Sequence, residues 1–198
     1  VAGFSRPANT VGGDFYEILP LGDGRLVIAV GDVAGKGSPA SLLMALLLAM
    51  MRTLTDENLE AAALISRLNV QVCRQSPGNR FITIFYAVLE LATGELTYVN
   101  AGHTPPLLLR SGSGAERLQA GGVALGMFEG SSFETGRVVL QLDDLLAIYS
   151  DGITEAENPI YHGAPGSLAH PDPSGVCLDL VAAIDFRLRG FTFTGCDT

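Results

Sequence analysis

The stretch of sequence that decides the fold is residues 25–50, RLVIAVGDVAGKGSPASLLMALLLAM. The run from Arg25 to Val30 is apolar and rich in β-branched residues, which is typical of a strand that is buried on both faces. The strand ends at Gly31 and Asp32, and a glycine-rich loop follows as far as Gly37. An aspartate at the end of a buried strand, next to a glycine-rich loop, is a candidate functional residue.

The second half of this stretch predicts a helix. Ser38 can cap its N-terminus, and Pro39 suits the first helical position because its missing N–H costs nothing there. The helix should then continue to about Leu54. The apolar run from Ala40 to Met51 is too short to cross a bilayer, so we expect a buried helix and no membrane span.

The segments on either side predict an α+β fold. Upstream, Gly22-Asp23-Gly24 indicates a hairpin. A second helix begins near Asp56, ends before Pro77-Gly78 and carries Leu64, Leu68 and Val72 at helical spacing. Only strands follow, predicted at Phe81–Leu91, Leu96–Ala101, Leu107–Arg110, Arg137–Leu142 and Leu145–Ser150. An order of strands, then two helices, then more strands favours stacked sheets with the helices packed on one sheet face. After an irregular segment over 158–175, we expect a last helix at about Leu178–Leu188.

The composition limits the classes of partner. The formal net charge is −9, with 21 acidic and 12 basic residues, and the basic residues form no stripe that would bind nucleic acid. The three cysteines form no CxxC pair, which favours reduced thiols and a cytoplasmic location. Because the chain begins at Val1 without an initiator methionine, we expect a fragment of a longer protein.

Three aspartates share one setting, because Asp14, Asp32 and Asp151 each lie beside a glycine at the end of a predicted strand. If these termini converge, the carboxylates repel one another unless a cation neutralises them. Oxygen ligands favour a hard divalent ion such as Mg²⁺ or Mn²⁺. Asp-Gly pairs are also common turn formers, and for any one of the three that simpler explanation is the more frequent. From the pattern alone, both interpretations stay open.

Other motifs carry less weight. The segment Gly31–Gly37 is one residue short of a P-loop and has glycine where Ser or Thr should contact Mg²⁺. The motifs GxSxG, HExxH and GxGxxG do not occur, which argues against serine hydrolases, zincins and simple dinucleotide binding. His103, in Asn-Ala-Gly-His, is either a general acid or a histidine that hydrogen-bonds a strand end, and we favour the latter.

Six segments of the chain resemble one protein family in order and spacing. They are PANTVGGDFYE, LVIAVGDVAGKGSPASLLMA, FITIFYAVLEL, YVNAGHTPPLLL, ALGMFE and LLAIYSDGITEAEN. Together they are similar to the SpoIIE/RsbU-type bacterial serine phosphatases, a branch of the metal-dependent type 2C protein phosphatase superfamily. The resemblance covers residues 1–158, and six ordered motifs are far more specific than a lone glycine-rich loop.

The resemblance implies an αββα sandwich of two stacked antiparallel sheets flanked by helices, with two Mn²⁺ or Mg²⁺ ions at one end. It implies that Asp14 is a ligand of one metal and that Asp32 bridges both. The main-chain carbonyl of Val33 is implied as a further ligand, and Asp151 as a ligand of the second metal. The implied reaction is hydrolysis of phosphoserine or phosphothreonine on a protein by a hydroxide that bridges the metals, without a phosphoenzyme.

The same resemblance implies partners. Such phosphatases act on phosphorylated anti-sigma-factor antagonists in bacterial stress or sporulation switches. A regulatory domain or protein is expected to act on the helices after Pro39. A homodimer is compatible with the family, whose members often dimerise through segments outside this domain.

Beyond Asn158 the resemblance decays. The family pattern ends in Asp-Asp-x-Thr and an apolar strand, whereas this chain ends in Cys196-Asp197-Thr198. We therefore divide the domain into a core at 1–158 and a divergent or truncated C-terminal part at 159–198. This departure motivates an alternative function, a non-catalytic pseudophosphatase that binds a phosphoprotein or regulator. A metal-dependent hydrolase of small phosphoesters is a third alternative.

Overall fold

The structure is a computed structural model that describes residues 13–35, 37–76, 80–110, 114–150 and the backbone of 183–185. The described residues form two helices and ten strands. In chain order these are β1 (Phe15–Pro20), β2 (Arg25–Val33), α1 (Ser38–Thr55), α2 (Ala61–Gln75), β3 (Ile82–Glu90), β4 (Glu95–Ala101), β5 (Leu107–Leu109), β6 (Ala115–Arg117), β7 (Gly121–Gly122), β8 (Gly136–Val139), β9 (Leu145–Ala147) and β10 (Ala183–Asp185).

The strands form two sheets. The larger has the order β1-β2-β3-β4-β7, and β8 also pairs with β4; the smaller has the order β10-β9-β5-β6. Neighbouring strands are antiparallel except β4 and β7, which run parallel over two residue pairs, Asn100 with Gly121 and Ala101 with Gly122. The predicted α+β sandwich of stacked sheets is therefore confirmed, with one short parallel pair that the sequence did not indicate.

Strand β2 separates two hydrophobic cores. Val27 and Ala29 belong to the core between the larger sheet and the helices. Ile28 and Val30 belong to the core between the two sheets, where they pack with residues such as Leu108 of β5 and Leu146 of β9. Because successive side chains of a strand point to opposite faces, one apolar run can serve both cores. The prediction of a strand buried on both faces is confirmed.

Helix α1 covers the larger sheet with one face. Its buried residues, Ala40, Leu43, Leu47 and Met51, recur at helical spacing and lie in the helix-facing core. By length and composition α1 is the one helix among the described residues that could cross a membrane. Its buried stripe is typical of a core helix, as expected from the sequence.

The ends of the helices differ from the prediction. Gly37, not Ser38, is the N-cap of α1, because its carbonyl accepts hydrogen bonds from the amides of Ala40 and Ser41 at 3.1 and 3.2 Å. Helix α2 begins at Ala61 and not near Asp56. A turn intervenes in which Asn58 has a φ of 53°, a conformation that an α-helix cannot contain.

The helix predicted at Leu178–Leu188 is wrong over Ala183–Asp185. The backbone there is strand β10, which pairs with β9 through Ile184 and Leu146. The edge of β9 offers unpaired N–H and C=O groups, and pairing with them outweighs a local helical preference. The irregular segment predicted at 158–175 lies outside the described residues.

Candidate metal centre

The candidate site lies at one end of the larger sheet, here called the site end, where β1 and β3 begin and β2 and β4 end. Asp14 directly precedes β1, and Asp32 is the second-last residue of β2. Phe15 pairs with Gly31, so the antiparallel register carries Asp14 and Asp32 to the same end of neighbouring strands. Asp14 thus lies at the start of a strand, and the convergence of the two residues follows from the pairing.

Gly13 lies directly against Asp32 and Val33. The amide of Val33 donates a hydrogen bond to the Gly13 carbonyl at 3.3 Å. A Cβ atom on Gly13 would lie 2.6 Å from the carbonyl oxygen of Val33 and 2.7 Å from Oδ1 of Asp32. Two oxygen atoms, one of them on a carboxylate, therefore border the same small space, which only a residue without a side chain leaves clear.

This donor set fits a hard divalent cation, since carboxylate and carbonyl oxygens are what Mg²⁺ and Mn²⁺ prefer. Within the described part of the chain, no three acidic, histidine or cysteine residues form a group that could hold an ion. The third predicted carboxylate, Asp151, lies outside the described residues. The structure thus brings together Gly13, Asp32 and Val33, and the ligand roles remain predictions.

A small polar cleft of about 60 Å³ opens beside Asp32 and is lined by Asp32, Thr83, Gly102, His103 and Thr104. Thr83 is the cross-strand partner of Asp32. Its Oγ1 lies 3.5 Å from the carbonyl oxygen of Asp32, to which it donates, and 3.2 Å from Nδ1 of His103. The cleft is large enough for ordered water at the candidate site.

His103 is held in place from its backbone as well as its ring. Its amide donates to Oδ1 of Asn100 at 2.8 Å, and Nδ2 of Asn100 donates to the carbonyl of Leu118 at 3.3 Å. Both His103 and Asn100 are buried. This geometry agrees with the interpretation of His103 as a histidine that hydrogen-bonds at a strand end.

Sequence reasoning missed Thr83 and Asn100. Thr83 follows the buried Ile82 on a strand that is otherwise mostly apolar, and Asn100 is the first residue of the Asn-Ala-Gly-His segment. The signal that could have identified both residues was a polar side chain close to the end of a buried strand. The pairing of Thr83 with Asp32 depends on a β2–β3 register that the sequence does not reveal.

The chain matches one protein family over most of its length. The family model described as Stage II sporulation protein E (SpoIIE) matches residues 22–168. The matched range contains Asp32, Val33 and Asp151 and begins after Asp14.

Curated relatives include Protein IcfG of Synechocystis, 31% identical over 78% of this chain, and the phosphoserine phosphatase RsbU of Bacillus subtilis, 29% identical over 87% of it. The chain spans 28% of the length of IcfG and 50% of that of RsbU.

Solved structures with the same fold include phosphatase domains. The RsbU and RsbW domains of a Mycobacterium tuberculosis protein align with a TM-score of 0.66 at 32% identity, over 76% of this chain and 42% of that one. The PP2C phosphatase domain of SpoIIE from B. subtilis aligns with a TM-score of 0.67 at 21% identity, over 79% of this chain and 48% of that one. The second likeness concerns the fold alone.

Proposed function

Since the chain belongs to the SpoIIE family, whose relatives include serine phosphatases of the RsbU type, we propose that it hydrolyses phosphoserine or phosphothreonine on a regulatory protein with the help of Mn²⁺ or Mg²⁺. The substrate class we propose is a phosphorylated anti-sigma-factor antagonist. Support comes from two relatives that are named phosphoserine phosphatases, RsbU and RsbP of B. subtilis.

One observation carries the proposal. Oδ1 of Asp32 and the carbonyl oxygen of Val33 face the same space beside Gly13. The residues that would hold the divalent ions are Asp14, Asp32, Asp151 and, through its main-chain carbonyl, Val33. Bound divalent ions lower the pKa of water and neutralise phosphate oxygens.

The remaining residues of the site orient these oxygens. Gly13 leaves the space open, and its carbonyl fixes the amide of Val33. Thr83 and His103 join the end of β2, the start of β3 and the residues that follow β4, all next to Asp32. Rigid support of this kind matters because a misplacement of about 1 Å can cost about 100-fold in rate.

The proposal is tested by phosphate release from a phosphoserine protein, with and without millimolar Mn²⁺. Asp32→Asn should reduce metal-dependent release by more than about 100-fold, because a neutral amide cannot hold two cations. The matched control is Asp143→Asn, an exposed residue in a turn whose φ of 65° asparagine tolerates. Undiminished release by Asp32→Asn would sink the proposal.

Two further outcomes separate the alternatives. A folded wild-type protein that binds a phosphoprotein but releases no phosphate in saturating Mn²⁺ would favour the pseudophosphatase. Faster hydrolysis of a small phosphoester than of a phosphopeptide would favour the general phosphoesterase.

A regulatory domain or protein that acts on α1 and α2 is part of the proposal, as is a homodimer. The outward face of α1 exposes Leu42 and Leu46, at 72% and 37% of their surface. Exposed apolar residues on a core helix are compatible with such a contact. The cytoplasmic location also stays a prediction.

A further inference from the structure

Asn69 is an amide in the apolar stripe of α2. It is fully buried, like Ile65, Leu68 and Val72 of the same stripe. A buried amide is costly unless its donor and acceptor groups find partners. Nothing in the proposed reaction uses Asn69, so its presence in this apolar stripe calls for another explanation.

Asn69 binds the backbone of one distant segment, residues 124–131, here called the 124–131 loop. Its Nδ2 donates to the carbonyl oxygens of Phe128 and Glu129 at 2.8 and 3.3 Å. Its Oδ1 accepts from the amide of Gly126 at 2.9 Å. One side chain thus satisfies three main-chain groups and fixes the loop to the helix.

Gly126 allows the loop to approach this closely. Its φ is 86°, and a Cβ atom there would lie 2.9 Å from Cγ1 of Val72 and 3.0 Å from the carbonyl oxygen of Arg80. The loop therefore packs between α2 and the residues that lead into β3. Any side chain at Gly126 would push these elements apart.

The loop connects in turn to the site end of the sheet. Leu125 and Ile82 exchange two backbone hydrogen bonds, at 2.8 and 2.9 Å. Ile82 is the cross-strand partner of Val33. The amide of Ala34 also donates to the carbonyl of Phe81 at 2.9 Å. The residue that follows β2 is therefore hydrogen-bonded to the neighbour of Ile82, which the loop contacts.

We propose that Asn69 is a positioning residue for the candidate metal centre, which it serves by fixing the 124–131 loop and, through Ile82, the end of β2 that carries Asp32 and Val33. The inference rests on the proposed function, since it assumes that Asp32 and Val33 bind metal. A leucine would fill the volume of Asn69 but leave the Gly126 amide and the Phe128 carbonyl without this partner.

The test compares Asn69→Leu with Leu64→Ala. Leu64 is equally buried on α2, and it takes part in none of the hydrogen bonds just described. Both variants lose stability, but only Asn69→Leu should disturb the site. The two measurements are a Mn²⁺ binding isotherm well below the melting temperature and amide hydrogen exchange at Leu125 and Ile82.

We expect Asn69→Leu to weaken Mn²⁺ binding about tenfold, the usual effect of losing a group that orients a metal ligand. The amides of Leu125 and Ile82 should exchange faster in this variant. Leu64→Ala should bind Mn²⁺ within about twofold of the wild type, because stability lost away from the loop leaves the ligands in place.

A second variant guards against a failure of Asn69→Leu to fold. Gly126→Ala disturbs the same contact from the loop, without a change in α2, and should weaken Mn²⁺ binding in the same direction. Wild-type Mn²⁺ affinity in either variant, or equal weakening in Leu64→Ala, would overturn the positioning role. Failure of the proposed function is distinguishable, because it would show in the wild type as an absence of Mn²⁺ binding.

Discussion

The two ends of the larger sheet are built from the same strands but use their carboxylates in opposite ways. The end opposite the site end, here called the turn end, contains the β1–β2, β3–β4 and β8–β9 connections. There Asp23 accepts from Nε of Arg25 at 2.7 Å, and Asp144 accepts from Nη1 of Arg110 at 2.8 Å. At the site end, Asp32 borders the Val33 carbonyl oxygen across the space beside Gly13.

The difference shows how charge is balanced in each place. At the turn end, guanidinium groups neutralise the acids, and the hydrogen bond from Arg25 holds the pKa of Asp23 below its ordinary value. At the site end, a carboxylate oxygen of Asp32 and the carbonyl oxygen of Val33 border one space, a pair of donors that suits a divalent cation. The first end is built for stability, and the second is suited to binding.

The strongest test of this contrast is to add a methyl group at each end of the sheet by a glycine-to-alanine substitution. Gly13→Ala would place Cβ against the Val33 carbonyl and Asp32 Oδ1. We expect phosphate release to fall about 100-fold, because these two oxygen atoms must move away from the added methyl group. Gly22→Ala is the matched control at the turn end, since nothing lies within 4 Å of its new Cβ. Equal activities in assays of the two variants would contradict the proposed site geometry.

A substitution at the turn end should have a smaller effect, and this effect should be on stability alone. Asp144 is 2% exposed and also accepts the amide of Gln141 at 2.8 Å. Asp144→Ala should lower the free energy of unfolding by about 2 kcal/mol. This is less than the roughly 3–5 kcal/mol for a fully buried pair, because the Arg110 side chain is 23% exposed and still contacts Glu116. Urea denaturation measures the loss.

The control for that experiment is Glu116→Ala. The Glu116 side chain is 53% exposed and lies 3.4 Å from Arg110, so its removal should cost less than about 1 kcal/mol. Phosphate release by Asp144→Ala at low temperature should match the wild type. Loss of catalysis in this variant would mean that the two ends are not independent.

The smallest effect concerns Tyr86, which lies in β3 between the two ends. Burial raises the pKa of Tyr86 above its ordinary value of 10.0. The unfolded chain therefore ionises first, and stability is fully present below pH 10 and lost as the pH rises towards the raised pKa. Tyr86→Phe should lessen this loss by up to about 1.4 kcal/mol per pH unit, measured as unfolding free energy between pH 9 and 11. An unchanged slope would show that Tyr86 is not the group responsible.

Elements with a strong periodic pattern were predictable from the sequence. The continuous apolar run of β2 and the stripe of Leu64, Leu68 and Val72 in α2 are local signals. The structure buries residues 27–30 of that run and all three residues of the stripe. The parallel pairing of β7 was not predictable, since a two-residue strand has no period. The start of α2 was misplaced because a turn at Asn58 interrupts a sequence that reads as continuous.

The candidate site was predictable only in part. Asp14, Asp32 and Asp151 stood out because each lies beside a glycine at the end of a predicted strand, and the family motifs added Val33. Asn69 carried a signal that was overlooked, a polar amide at a position where the spacing of Ile65, Leu68 and Val72 requires a buried residue. Its partners lie 57 to 60 residues away, a separation that no local pattern encodes.

The pairing of β2 with β3 has a consequence for the order in which the chain folds during its synthesis. Nine residue pairs join these strands, yet residues 34–81 lie between them. At the usual speed of ribosomes, about 5–20 residues per second, β2 waits roughly 2–10 s for its partner. Until then β1 is the only strand that pairs with β2, and the other edge of β2 can pair with any extended chain nearby. We therefore expect the nascent protein to be most prone to aggregation while its two helices are being made.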